Sequence, residues 1–180
     1  VLYDTVSLPS ERYSLSLPPN WHIEPSFVPG QLFLVGDGIE IIFFPPDSLS
    51  GYFAFSEDVN LVDLAQVIET EFFQIDLRSI TLTSAQAGDR HLVAYGFRST
   101  NTATDTQALL VQLPDGEVGY FKVVAPQGQI TQLLQDRIRR IALSLKANTQ
   151  DNFTDGLFED DIGAILIPRS GQWRIELRDM

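Results

Sequence analysis

Residues 106–146, TQALLVQLPDGEVGYFKVVAPQGQITQLLQDRIRRIALSLK, decide how this chain folds. Residues 107–113 (QALLVQL) are apolar and rich in strand formers, Pro114-Asp115-Gly116-Glu117 supplies a turn, and residues 118–125 (VGYFKVVA) return. That pattern is a tight β-hairpin. Past the breaker Pro126-Gln127-Gly128, apolar side chains recur at Ile130, Leu133, Leu134, Ile138, Ile141 and Leu145. The spacing is helical, so one stripe of this helix must lie on an apolar surface, and the hairpin is nearest. An antiparallel sheet with a helix across one face is the expected core.

Upstream, residues 78–87 (RSITLTSAQA) and 91–100 (HLVAYGFRST) read as two strands joined through Gly88-Asp89, and residues 101–105 as a polar turn. Asn60 is placed to cap a helix carrying Asp63 in its first turn and Leu61, Leu64, Ala65, Ile68 and Phe72 on its buried stripe. Residues 47–58 read as a loop. Its Tyr52, Phe53 and Phe55 either present a partner-binding patch or tuck beneath the fold. Residues 31–35 and 39–44 form a hairpin about Gly36-Asp37-Gly38, ended by Pro45 and Pro46. Residues 13–17 (YSLSL) and 21–24 (WHIE) alternate as half-buried strands kinked at Pro18-Pro19-Asn20, with Trp21 and Ile23 inward, after a polar lead-in over 1–12. Hairpins dominate and no βαβ rhythm appears, so the fold class is α+β: an antiparallel sheet flanked by amphipathic helices.

The tail differs. Residues 1–147 form the expected domain, and 148–180 an acidic linker followed by an extra C-terminal β-hairpin, strands 164–168 and 173–177. Ile167-Pro168 leading to Trp173-Arg174-Ile175-Glu176 echoes Leu17-Pro18 leading to Trp21-His22-Ile23-Glu24. A lone hairpin is marginal in water, so this one either packs on the main domain or opens a second repeat.

Several features resemble the PsbP-like family, the extrinsic photosystem II proteins and their bacterial relatives, which share an α/β/α sandwich with the Ran-binding protein Mog. They are YSLSLPPNW at 13–21, the strand ending IEIIFFPP, the helix LVDLAQVIETEF and the terminal RIRRIALSLK, spread over residues 13–146. The resemblance implies that sandwich, and an extracytoplasmic or organellar assembly or binding module rather than an enzyme. It carries no ligand set onto residues of this chain, although photosynthetic members are associated with manganese or calcium.

A formal charge of −12, with 24 acidic against 12 basic residues, argues against nucleic acid and anionic membrane surfaces as partners. A basic protein patch or a cation suits it better. There is no cysteine, which removes thiol chemistry and cysteine-ligated metals. No apolar run approaches the roughly 20 residues of a membrane span. A start at Val1 suggests that upstream residues were removed, either as a signal or anchor segment or by choice of the fragment, and an exported chain is the expectation.

Candidate chemistry is sparse. His22 and His91 stand on outward or terminal strand positions, and no nucleophile elbow, phosphate loop or zinc motif occurs. The metal candidates are Asp151, Asp155, Glu159, Asp160 and Asp161, which would hold calcium or manganese loosely. An EF-hand counted from Asp151 fails, because Phe153 and Ile162 occupy ligand positions. Arg137 and Arg140, with Arg139, either dock an acidic partner or complement the dipole of their helix. The reading is therefore a non-enzymatic, extracytoplasmic module that binds a protein partner and has no cofactor. The alternative is a sensor domain for a metal or small ligand.

Overall fold

The computed structural model describes residues 2–149 in full and, beyond them, the backbone of three strands, 158–159, 164–169 and 172–177. The chain divides into two compact units, Val1–Lys146 and Ala147–Met180.

The first unit is built on a seven-stranded antiparallel sheet. In chain order its strands are β3 (His22–Pro25), β4 (Leu32–Gly36), β5 (Ile39–Phe44), β6 (Thr83–Ala87), β7 (Arg90–Ser99), β8 (Thr104–Gln112) and β9 (Val118–Pro126). Across the sheet the order is β3-β4-β5-β9-β8-β7-β6. The expected hairpin is β8–β9, paired from Thr104↔Pro126 to Gln112↔Val118 at the middle of the sheet. Central strands are covered on both faces, which is why these two read as nearly continuous apolar runs.

One face carries Leu34, Ile41, Phe43, Leu92, Leu109, Val111, Phe121 and Val123. It is closed by α3 (Gln132–Leu143) and by a small sheet of β1 (Asp4–Ser7), β2 (Tyr13–Leu17) and β10 (Lys146–Ala147). The opposite face carries Phe44, Val93, Tyr95, Ala108, Leu110, Val118 and Tyr120, closed by α1 (Pro46–Tyr52) and α2 (Leu61–Phe73). The Asn60 side chain accepts from the Val62 and Asp63 N–H groups, and Gln74 ends α2 with a left-handed φ of 55°.

Several expectations change. β2 and β3 are two strands as expected, but they belong to different sheets: at Pro18-Pro19-Asn20, with Asn20 at φ 67°, the chain leaves one sheet for the other. Residues 4–7 form β1, an exposed strand without apolar alternation that exists because β2 supplies its ladder. Within the expected loop 47–58 lies α1, opened by Pro46 in its first turn and anchored by the buried Leu49. The strand expected over 78–87 is only Thr83–Ala87. Leu133, placed on the buried stripe of α3, is 69% exposed, while Leu134, Ile138 and Ile141 are buried.

The second unit holds a three-stranded antiparallel sheet: β11 (Phe158–Glu159), β12 (Ala164–Arg169) and β13 (Gln172–Leu177). β12 and β13 form the expected hairpin, with Pro168 opposite Trp173. Their pairing differs from that of β2 and β3, which lie in separate sheets, and β11 adds a strand inside the expected linker.

Candidate functional site

An exposed aromatic cluster lies where the β3–β4 loop meets the end of α1. Phe27, at the tip of that loop, is fully exposed; Val28 and Tyr52 are exposed beside it. The loop is firmly held. The Ser26 hydroxyl oxygen accepts from the Val28 N–H (3.1 Å) and from Gln31 Nε2 (2.8 Å), and the Gln31 N–H donates to the Val28 carbonyl (3.1 Å). Tyr52 donates its hydroxyl to the Pro29 carbonyl at 2.6 Å. Gly30, at φ +79°, has only 2.8 Å between its missing Cβ and the Ser48 hydroxyl, so no other residue fits there. Four hydrogen bonds thus fix a loop whose tip touches nothing.

Tyr52 joins this tip to the core. Its ring stands edge-on to Phe72 at 5.1 Å and to Phe44 at 5.9 Å, and Phe44 stacks on Phe72 at 5.1 Å. Phe53 and Phe55 are half-buried against the same cluster. Of the three expected aromatics, two tuck under and Tyr52 stays outside with Phe27. Phe27 was missed because one aromatic between Pro25 and Pro29 has no periodicity to report it.

The electrostatics around the patch are one-signed. Residues 13–77 contain ten Asp and Glu and no Lys or Arg. Three of the ten find a base elsewhere: Glu69 with Lys122, Asp37 with Arg137 and Asp76 with Arg78. Among the described residues the other seven, Glu24, Asp47 and Glu71 included, have no Lys or Arg ion pair. Arg78 holds the exposed Asp76 carboxyl down to about 2.

The expected arginines are engaged inside the domain. Arg137 Nη1 donates to Asp37 Oδ2 at 2.7 Å, the oxygen that also accepts from Trp21 Nε1 at 3.1 Å. Trp21 lies flat on Gly36, its ring atoms only 2.3 Å from where a Cβ would stand. The Leu-Pro-Pro-Asn-Trp motif is therefore a clamp joining the β4–β5 turn to α3. The Arg140 guanidinium lies 4.0 Å from the centroid of the Tyr3 ring. His22 meets Glu24 at 2.7 Å in the open, and His91 lines a shallow polar bowl of about 340 Å³ with Glu57, Asp89 and Asp115.

Sequence reasoning also missed a buried polar quartet. Glu69 of α2 accepts the hydroxyls of Tyr95 (2.7 Å) and Tyr120 (2.6 Å) on Oε1 and Lys122 Nζ (2.9 Å) on Oε2. All four residues are buried, and Lys122 Nζ lies 3.3 Å from the Phe73 ring centroid. Burial pushes the Lys122 ammonium below the ordinary lysine value, while Glu69 pulls it back up. Burial, then Glu69, hold the Tyr95 phenol far above 10. Closed off from solvent, the quartet is a packing device. Its signal was present: Glu69 at core spacing from Ala65, and Lys122 between Phe121 and Val123 in a strand covered on both sides.

Among the described residues no group of three or more His, Asp or Glu side chains is arranged to hold a metal. The side chains of the metal candidates Asp151, Asp155, Glu159, Asp160 and Asp161 lie outside the described residues. No helix among the described residues is long and apolar enough to cross a membrane.

A central antiparallel sheet between helical layers defines an α+β sandwich of the PsbP-like type. A solved PsbP structure shares this fold. Cyanobacterial PsbP (CyanoP) from Synechocystis sp. PCC 6803 superposes with a TM-score of 0.53 at 11% identity, over 82% of this chain and 93% of that one. A Bacteroides thetaiotaomicron VPI-5482 protein gives 0.52 at 10% identity over 94% of this chain, which spans 54% of its length. LpqN, involved in cell envelope biogenesis of Mycobacterium tuberculosis, gives 0.39 at 10% identity over 81% of this chain and 90% of that one. At such identities the likeness is one of fold. No family model and no curated protein matches the chain in sequence.

Proposed function

We propose that this domain is a non-catalytic accessory module, working outside the cytoplasm, that binds a protein partner through Phe27, Val28 and Tyr52. The carrying observation is Phe27, fully exposed on a loop that four hydrogen bonds hold in place. A preorganised aromatic loses little freedom on entering a partner's pocket, the usual character of an interface anchor. The carboxylates around it call for a partner whose apolar pocket has a basic rim. The extracytoplasmic setting rests on the family whose fold this one resembles, and the proposal assigns no cofactor and no catalytic residue.

The test is site-specific photocrosslinking from position 27 in an extract of the source organism, with Tyr52→Ala and Phe27→Ala as comparisons. A discrete crosslinked species is expected, lost in Tyr52→Ala; binding of the unmodified chain should fall at least tenfold in Phe27→Ala without a change in melting temperature. No discrete adduct, or binding indifferent to Phe27, sinks the reading. Melting with calcium or manganese in turn addresses the alternative. A saturated site would raise the melting temperature by about 5–10 °C, and that rise would favour a sensor.

A further inference from the structure

The face of the large sheet that carries α1 and α2 is covered unevenly. Towards α3, strands β4 and β5 bury Leu34, Ile41 and Phe43 completely. Their alternate residues turn to the other face. There α2 packs on β7 and β8, and α1 on β9. Beyond Phe44, which Tyr52 and Phe72 cover, the face is open: Phe33, Val35 and Ile42 are half-buried, and His22, Glu24 and Glu40 are exposed. Register sets these six as a block of two rows, Glu24–Phe33–Ile42 and His22–Val35–Glu40, on β3, β4 and β5. The carboxylates stand at opposite corners. With strands roughly 4.8 Å apart and alternate residues about 6.7 Å apart, the corners lie about 12 Å from each other across Phe33 and Val35.

We propose that this open half-face receives one amphipathic helix of a protein partner, bearing Lys or Arg two turns apart with apolar residues between them. The proposal rests on the reading of the domain as a protein-binding module, though not on Phe27. The occupant follows from local charge. The strands β3, β4, β5 and β9 contain one Lys or Arg, Lys122, which is buried against Glu69. Among the described residues Glu40 has no Lys or Arg partner, and Glu24 is met by His22 at 2.7 Å. An anionic helix would set like charges against both corners, whereas a cationic one is complementary to them.

Dimensions select a helix. The open strip over β5, β4 and β3 is roughly 10–15 Å wide at about 4.8 Å per strand, the diameter of one helix with its side chains. The other half of the same face shows how such a strip is closed, since α2 lays its apolar stripe on β7 and β8. Residues seven apart on a helix are separated by a rise of about 10.5 Å. Cations at i and i+7 therefore reach Glu24 and Glu40 while residues i+3 and i+4 lie on Phe33 and Val35.

Backbone-amide NMR titration of the full chain with Ala-rich helical peptides of about 16 residues tests this. One peptide carries Lys at i and i+7 with Leu at i+3 and i+4; a second has Glu in place of Lys; a third scrambles the first. The Lys peptide should shift the amides of Phe33, Val35, Glu40 and Ile42 saturably below about 1 mM, a range suited to a small interface. It should bind at least tenfold more tightly than the other two. Glu40→Lys should reverse the preference towards the Glu peptide, a gain that misfolding cannot produce. Phe27→Ala should leave the Lys peptide's affinity unchanged, so this proposal and the Phe27 reading fail separately. No saturable shift, shifts centred on the bowl around Asp89 and Asp115, equal binding of the scrambled peptide, or an unchanged preference in Glu40→Lys would each overturn the proposal. Shifts of the same amides on dilution of the free chain would give the face to a second copy and overturn it as well.

Discussion

The two faces of the central sheet solve the same packing problem differently. Towards α3 the core is apolar, and polar contacts such as the Trp21–Asp37–Arg137 clamp and the Tyr13–Glu117 hydrogen bond lie at its rim, where Asp37 and Arg137 reach water. Towards α2 an ion pair is buried in the middle, with a carboxylate that accepts three hydrogen bonds. Apolar contacts tolerate sliding, since many arrangements bury similar area. A buried carboxylate does not, because its cost is met only where Lys122, Tyr95 and Tyr120 converge. One face is held by volume, and the other sets where α2 sits.

The largest break in this comparison should come from separating the buried pair. Glu69→Ala or Lys122→Ala leaves a lone buried charge and should lower unfolding stability by about 3–5 kcal/mol in urea titrations. Glu69→Leu with Lys122→Met should recover most of that, because the pair contributes position more than stability. Singles costing under about 1 kcal/mol would mean the quartet is solvated.

Alkaline unfolding should follow from the same face. Tyr95 and Tyr120 have phenols raised above the ordinary 10 by burial first. A raised acid contributes in full below the unfolded value and loses its contribution as pH climbs towards the folded one. Lys122, lowered, acts oppositely, but only below its ordinary 10.5. Above that, stability should fall by about 1.4 kcal/mol per pH unit for each tyrosine. Urea midpoints between pH 9 and 12, wild type against Tyr95→Phe, measure it; parallel curves would remove the tyrosines from the account.

On the apolar face, Gly36→Ala drives a methyl into the Trp21 ring and should cost about 1–3 kcal/mol. Trp21→Ala should remove most of that penalty in the double variant, and full additivity would show that the two do not press on each other. The smallest effect belongs to the rim. Arg137→Met should cost at most about 1 kcal/mol, shrinking in high salt, since Asp37 is more than half exposed. A larger loss would make the clamp, not the apolar area, what holds α3.

Legibility tracked periodicity. The β8–β9 hairpin, α2 and its Asn60 cap, α3, and the β4–β5 hairpin could each be read because an apolar stripe or a turn repeats within its own length. α1 has seven residues and β1 one half-buried valine, too little to show a stripe. Of the candidate site, Tyr52, Phe53 and Phe55 are legible in the sequence, but which of them faces water is set by Phe44 at the end of the preceding strand and Phe72 in the next helix.

The sequence alone determined the fold class, the two-faced burial of the central strands and the negative charge, because these follow from local patterning and composition. Tertiary structure decided the rest. It sent β2 and β3 to different sheets, spent Arg137 on Asp37, closed Glu69 over Lys122, left Phe27 in the open and, among the described residues, left β6 paired on one side only. Each of those depends on which residues far apart in the chain arrive at the same place, and no window of sequence contains both partners.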